Sequence, residues 1–197
     1  MRDYWKLLLA VFACLLGLAG MWSGRPIARA PGVLAEGEPV QTPARGELFE
    51  LNDFHLEAQA AYDITARVLS VERYRMDGGA NLAPIDFAVG WGPMSDSAVL
   101  EHFKVTQGAR FFTIYPDEEA IDLASALQSS ANMHIIPANS LVLRQLKKAR
   151  AGSLVHLQGF LVNASTDEGF TWHSSLTRND TGDGACELFY VDAAELR

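Results

Sequence analysis

The sequence predicts an α+β domain built on a curved, mainly antiparallel sheet or small barrel with about three helices. One N-terminal transmembrane or signal helix precedes it. Three observations carry this expectation. Short runs of alternating or wholly apolar residues, each closed by Gly, Pro or Asn, recur through residues 47–197 and read as strands. Capping residues introduce three helical stretches among them. Ahead of both, Leu7 to Trp22 is an uncharged run preceded by Arg2 and Lys6.

Three readings of the leader compete. A cleavable signal peptide would have the basic start, the apolar run, and small residues at Gly17 and Ala19 before the cut. An uncleaved anchor must span the bilayer. At about 1.5 Å per residue, the run of residues 7–22 reaches roughly 24 Å against a hydrocarbon core of ~30 Å. Tyr4 and Trp5 before the run and Trp22 at its end sit where interfacial aromatics complete such a span, so the anchor is preferred. A lipoprotein acylated at Cys14 ranks last, because Phe12 stands where a small residue is needed and the apolar run continues past the cysteine. Arg2 and Lys6 favour a cytoplasmic N-terminus, a bias that Arg25 and Arg29 weaken without reversing. The expected address is the inner membrane, single-pass, with the domain in the periplasm. The alternative is secretion to the periplasm after cleavage.

Residues 23–46 are rich in Pro, Gly and Ala and read as a flexible spacer, leaving 47–197 as the domain. Phe49, Leu51, Phe54 and Leu56 mark a first short element. Tyr62 to Tyr74 alternates as a long strand and Asp77-Gly78-Gly79 makes a turn. Ile85 to Val89 is a short strand ended by Gly90-Trp91-Gly92-Pro93. Ser95-Asp96 caps a helix expected to reach about Val105. Arg110 to Tyr115 is a strand stopped by Pro116, and Asp117-Glu118-Glu119 opens a second helix running to about Leu127. Met133 to Ile136 is a strand. Asn139 caps a third helix with Leu143 and Leu146 inward and a basic end at Lys147, Lys148 and Arg150. Leu154 to Val162 and Phe170 to Leu176 form a hairpin, and Cys186 to Val191 is the final strand. By analogy, the nearest named shape is an OB-like barrel.

Charge is divided unevenly. Residues 1–30 hold four basic side chains and one acidic; the rest hold twelve basic and twenty-three acidic, a net charge of −11. Such a body suits neither nucleic acid nor anionic lipid. The basic residues are scattered along the chain, apart from Lys147, Lys148 and Arg150. Cys14 and Cys186 are the two cysteines, and with Cys14 in the leader Cys186 lacks an intrachain partner. No Cys/His cluster implies a metal, and no cofactor is implied.

The segments Gly90 to Asp96 (GWGPMSD), Ser129 to Asn139 (SSANMHIIPAN) and Ser174 to Val191 (SSLTRNDTGDGACELFYV) resemble a family of uncharacterised exported or membrane-anchored proteins of Gram-negative bacteria. The likeness covers most of residues 47–191. It implies no activity, cofactor or catalytic residue.

Chemistry concentrates in few places. Arg178, Asp180, Cys186 and Glu187 crowd a glycine-rich stretch where Arg178 can clamp a carboxylate ligand. The competing reading is a wide turn with Arg178 paired to Asp180 or Glu187. Asn179 to Gly184 faintly echoes a calcium loop, but Tyr190 occupies the place of its twelfth-position Glu. Cys186 can serve as a nucleophile with His134 or His173 as base, although an inert buried thiol is the preferred reading of a cysteine that begins an apolar strand. His134 and Asn132 sit on one strand face and can line a cleft. Trp91 either stacks on a ligand or plugs the barrel end. The leading functional expectation is a non-enzymatic binding or assembly module. It contacts the inner membrane through residues 7–22, has an envelope protein partner and binds no nucleic acid. The rival is a hydrolase or thiol-dependent enzyme using Cys186 and His134, with Arg178 orienting the substrate.

Overall fold

The computed structural model describes residues 25–44, 46–177 and 185–197, together with Tyr4, Leu8, Leu9, Val11 and Phe12 of the leader. Among these residues no helix is long and apolar enough to cross a membrane. Most of the apolar run 7–22 lies outside them, as do Arg178, Asp180 and the calcium-like loop.

Strand accounts for 46% of the chain, with three helices set among the strands, and the sheet is curved. The strands are β1 (Val40–Pro43), β2 (Leu48–Leu51), β3 (Phe54–Arg73), β4 (Ile85–Gly90), β5 (Phe103–Gly108), β6 (Phe111–Pro116), β7 (Ser130–Pro137), β8 (Leu154–Ser165), β9 (Thr171–Trp172) and β10 (Glu187–Leu196). The helices are α1 (Ser97–Leu100), α2 (Leu123–Gln128) and α3 (Ser140–Leu146), with a 3-10 turn at Gly92–Ser95.

The main sheet runs β3-β4-β7-β10-β8 and then returns to β3, because β8 also pairs with β3. Five strands therefore close a ring. Every pairing in it is antiparallel except β7 with β10. β1, β2 and β9 are added outside, and β5–β6 forms a separate hairpin.

β3 makes the closure possible. A strand of its length would extend roughly 60 Å if straight, far too long for one wall of a small barrel. It bends at two register shifts, Ala58/Ala60 against β8 and Val68/Ser70 against β4. Each shift adds a residue on one side of the ladder and coils the strand. The second shift also brings Val71 to the core, although simple alternation from Ile64 through Val68 points it outward.

The barrel interior is filled by Tyr62, Ile64, Val68, Phe87, Trp91, Met133, Ile135, Leu157 and Phe189. Tyr62 and Phe189 meet edge to face, with centroids 5.2 Å apart. α3 closes one end through Val142 and Leu146, its start capped by the Asn139 side chain accepting from the Leu141 and Val142 amides. Leu143 packs only partly. A second apolar layer lies outside the barrel, where Leu56, Val162, Leu188 and Ile136 meet Leu82. At Gly159, φ is +153° and a Cβ would collide with the Tyr190 carbonyl, so β8 and β10 cross closely only because this residue has no side chain.

Several expectations are corrected. The helix capped by Asp96 ends at Leu100, and Phe103–Gly108 is a strand: β-branched Val105 and Thr106 suit the ladder with Ile114 and Thr113. Asp117 to Glu119 forms a turn, and α2 starts only after Asp122, whose carboxylate caps the Ser125 amide. The strand expected over 170–176 shortens to β9. The stretch read as a flexible spacer is fastened to the barrel along much of its length. Ile27 N–H bonds the Ala151 carbonyl at 2.8 Å, the Leu34 and Ala35 amides donate to Ser95 Oγ, and β1 pairs with β3. Buried Ala35 and Pro39 add apolar contact to those bonds.

Candidate functional site

β4, β7 and the start of β10 present a polar row on the outer face of the barrel. Register places Asp86 beside His134, and His134 beside Leu188. Two residues along β7, Asn132 lies 3.5 Å from the thiol of Cys186 through Nδ2. The β5–β6 hairpin folds down over this row and delivers Arg110.

Arg110 is the hub. Its Nε and Nη2 grip both oxygens of Asp77 at 2.8 and 2.7 Å, while Nη1 donates to Asp86 Oδ1 and to the Ala83 carbonyl, each at 2.8 Å. The guanidinium lies over the Tyr74 ring, 3.6 Å from its centroid, with Trp172 on another side at 5.5 Å. The backbone is equally occupied. Arg110 N–H bonds Tyr74 Oη at 2.9 Å, and its carbonyl accepts from Asn132 Nδ2 at 3.0 Å. Ala109 and Arg110 have φ of +49° and +70°, the paired positive values that a two-residue primed hairpin turn demands. Neither is glycine, so backbone strain is concentrated where the contacts converge.

His134 is 3% exposed and its ring meets Trp172 at a tilt of 48°, centroids 4.7 Å apart. Nδ1 lies 3.0 Å from Asp86 Oδ2, an ion contact by distance, yet the two are too poorly aligned to count as a hydrogen bond. The Arg110 guanidinium holds the Asp77 carboxyl below the usual carboxylate range, and burial pushes the Tyr74 phenol up.

The structure thus gathers Asn132, His134 and Cys186 on one face, with Asn132 against Cys186 and His134 apart from both. The Cys186 thiol, half-buried, meets Asn132 and, at 3.8 Å, the Arg110 carbonyl. His134 stands about 7 Å further along β7, against Asp86 and Trp172. Glu187 is buried and registers with Met133 of the barrel core. Trp91 is buried in the interior, where it fills the barrel, and its ring offers no open face for stacking. His173 is exposed on the segment after β9.

No family model, curated protein or solved structure matches this chain.

The sequence reading missed Asp77, Asp86, Arg110 and Tyr74. Asp86 carried one signal: a carboxylate inside Ile-Asp-Phe-Ala-Val, a strand apolar on both faces, requires a buried cationic partner. With four of its five guanidinium N–H groups bonded and only 15% exposed, Arg110 acts as a structural joint between hairpin, loop 74–84 and barrel.

An open feature lies beside this joint. A cleft of about 800 Å³ runs between the β2–β3 turn, loop 74–84 and the turn after β8. Glu50, Asp53, Asp167 and Glu168 line it, with His55 between Asp167 at 3.0 Å and Glu50 at 3.4 Å. The hydrogen bond that the His55 imidazole donates to Asp167 holds its pKa above the ordinary value. Among the described residues no group of three or more His, Cys, Asp or Glu is arranged to hold a metal ion.

Proposed function

We propose that this chain is a single-pass inner-membrane protein of the Gram-negative envelope whose periplasmic barrel is a non-enzymatic binding or assembly module. The observation that carries the reading is the ring order β3-β4-β7-β10-β8 with its one parallel pair. That is the connectivity of an OB barrel, a fold that places ligands on its second and third strands and between the loops after strands one and four. Here those loops are 74–84 and the segment following Ser165, and the acidic cleft opens between them. The corresponding strand face is roofed by Arg110 and Trp172, which leaves the cleft as the accessible surface. Four carboxylates around it favour a cationic protein segment and oppose a polyanion.

The thiol-enzyme alternative has less support, because His134, its proposed base, stands against Asp86 and Trp172, about two residues along β7 from the Asn132 that meets the thiol. Titrating the purified full chain with a Lys/Arg-rich peptide, an acidic peptide and an oligonucleotide tests the reading. Saturable binding of the basic peptide alone, weakened by salt and by Glu50→Gln with Asp167→Asn, is expected. Absence of basic-peptide binding, or ester turnover that disappears with Cys186→Ser, would overturn it. Membrane address is tested separately by the size of the mature chain: loss of about 2 kDa means a cleaved signal.

A further inference from the structure

Basic residues scattered along the sequence come together at the α3 end of the barrel. Arg73 Nη2 donates to the Lys147 and Ala149 carbonyls at 3.1 and 3.2 Å. Arg29 donates through Nε to the Gly152 carbonyl at 2.9 Å and through Nη2 to the Arg197 main-chain oxygen at 3.1 Å. Those bonds draw Arg29, Arg73 and Arg197 around the loop that carries Lys147 and Lys148. Arg144 lies one turn back on the exposed face of α3, beside Leu141, which is 65% exposed. Glu195 neutralises Arg197 at 2.7 Å. Among the described residues no carboxylate pairs with Arg144, Lys147 or Lys148.

The chain enters the body at this same place. Ile27 is fastened to Ala151, and Gly152 has room for the Ile27 carbonyl only because it lacks a Cβ. From Trp22 to Ile27 the backbone can span at most about 18 Å. The inference rests on the reading above for its address: with the run 7–22 as an anchor, the tether brings the α3 end within reach of the headgroups, and without it the basic face must bind by itself.

We propose that this face docks on anionic phospholipid. Arg144, Lys147 and Lys148 face the headgroup phosphates, and Leu141 enters the interfacial layer between them. A body of net charge −11 is repelled by such a surface everywhere else, so local attraction and global repulsion together select one orientation. Net acidity argued against anionic lipid as a partner; the folded arrangement restricts that argument to the other faces.

The lysines supply the test. Beyond Lys6 in the leader the chain has Lys104, Lys147 and Lys148, and Lys104 is exposed on the β5–β6 hairpin, where it serves as an internal reference. The full chain is reconstituted into vesicles of phosphatidylcholine alone or with about one-third phosphatidylglycerol. Amine acetylation is then followed residue by residue by mass spectrometry. Expected is slower acetylation of Lys147 and Lys148, by about fivefold or more relative to Lys104, in the anionic vesicles at low salt. That protection disappears in high salt, where screening shortens to a few ångströms. Leu141→Glu with Arg144→Glu removes it while leaving both reporter lysines in place, and the salt dependence of the unmodified chain tests the same point without any substitution. Equal acetylation in the two vesicle types overturns the proposal. Failure to float with neutral vesicles overturns the anchor alone: docking then survives if the chain floats with anionic vesicles and shows the same lysine protection, and falls if it does not.

Discussion

Arg110 grips Asp77 through two parallel hydrogen bonds, at 2.8 and 2.7 Å, and does so from a backbone in the left-handed region. The same guanidinium reaches Asp86, which has no exposed surface. The two carboxylates are not equivalent in energy. Asp77 is 37% exposed and remains hydrated when its partner is lost, whereas Asp86 would be left as a buried charge.

Removing the hub therefore costs far more than removing its outer partner. Arg110→Ala is expected to destabilise by about 3–5 kcal/mol, the range for breaking a buried ion pair. Asp77→Asn is expected to cost less than about 1 kcal/mol. Urea unfolding of the two variants measures the difference, and near-equal losses would mean that Asp86 is not the group Arg110 neutralises.

The turn beneath the hub carries a cost of its own. Ala109 holds φ at +49°, a region glycine enters without steric penalty. Ala109→Gly is expected to stabilise by a few tenths to about 1 kcal/mol, the relief of left-handed strain outweighing the greater freedom of glycine in the unfolded chain. Thermal unfolding should register a rise of a few degrees, and a fall would place the strain elsewhere.

Stability should fall on acidification. Asp63, Asp77, Asp96, Asp117 and Glu195 are all held below their ordinary range. The first-ranked causes are hydrogen bonds from Gln158, from Arg110, from the Gly32 amide, from the Glu119 amide and from Arg197 respectively. A folded pKa below the unfolded value means stability fully present above roughly pH 4 and lost as pH falls through the folded values. His55 has the opposite sign: its raised pKa contributes below about pH 6.5 and that contribution is lost as pH rises through the folded value. Urea midpoints followed from neutral to acid should drop below about pH 4. The shallow loss on the alkaline side should shrink in Asp167→Asn, with Glu50 sustaining the remainder.

Much of the fold was legible because the relevant signals are local. Ile85 to Val89 and Met133 to Ile136 are apolar runs closed by Gly90 and Pro137, and Asn139 caps α3 as its side chain chemistry dictates. The failures share a cause in tertiary pairing. Val99 and Phe103 have helical spacing, yet Phe103–Gly108 finds a partner in Phe111–Pro116 and becomes strand. The start of β3 at Phe54 was hidden because Ala58 and Ala60 hold the buried side of its alternation with little apolar bulk, beside polar His55, Glu57 and Gln59. The site was least legible of all. Arg110 and Asp86 stand 24 residues apart, and their pairing exists only once the hairpin folds over the barrel. Residues 23–46 read as a flexible spacer because their composition lacks periodicity, but backbone hydrogen bonds to fixed partners, such as that of Ile27 to Ala151, need no periodicity.

That strap makes the last prediction the sharpest. Ser95 is buried, and its hydroxyl accepts from the Leu34 and Ala35 amides at 3.0 and 3.1 Å while donating to the Gly92 carbonyl at 2.7 Å. One oxygen thus satisfies two strap amides and closes its own 3-10 turn. Ser95→Ala strips both amides of their acceptor and frees the Gly92 carbonyl, with a cost on the order of 1–3 kcal/mol for groups left unsatisfied in a buried place. The barrel ladder does not pass through Ser95, so the loss should stay local. Hydrogen exchange should accelerate at Leu34 and Ala35 while Phe87 and Ile135 keep their protection. Uniform acceleration across the barrel would show that the strap folds as one unit with it; no change at Leu34 would show that the strap does not depend on Ser95.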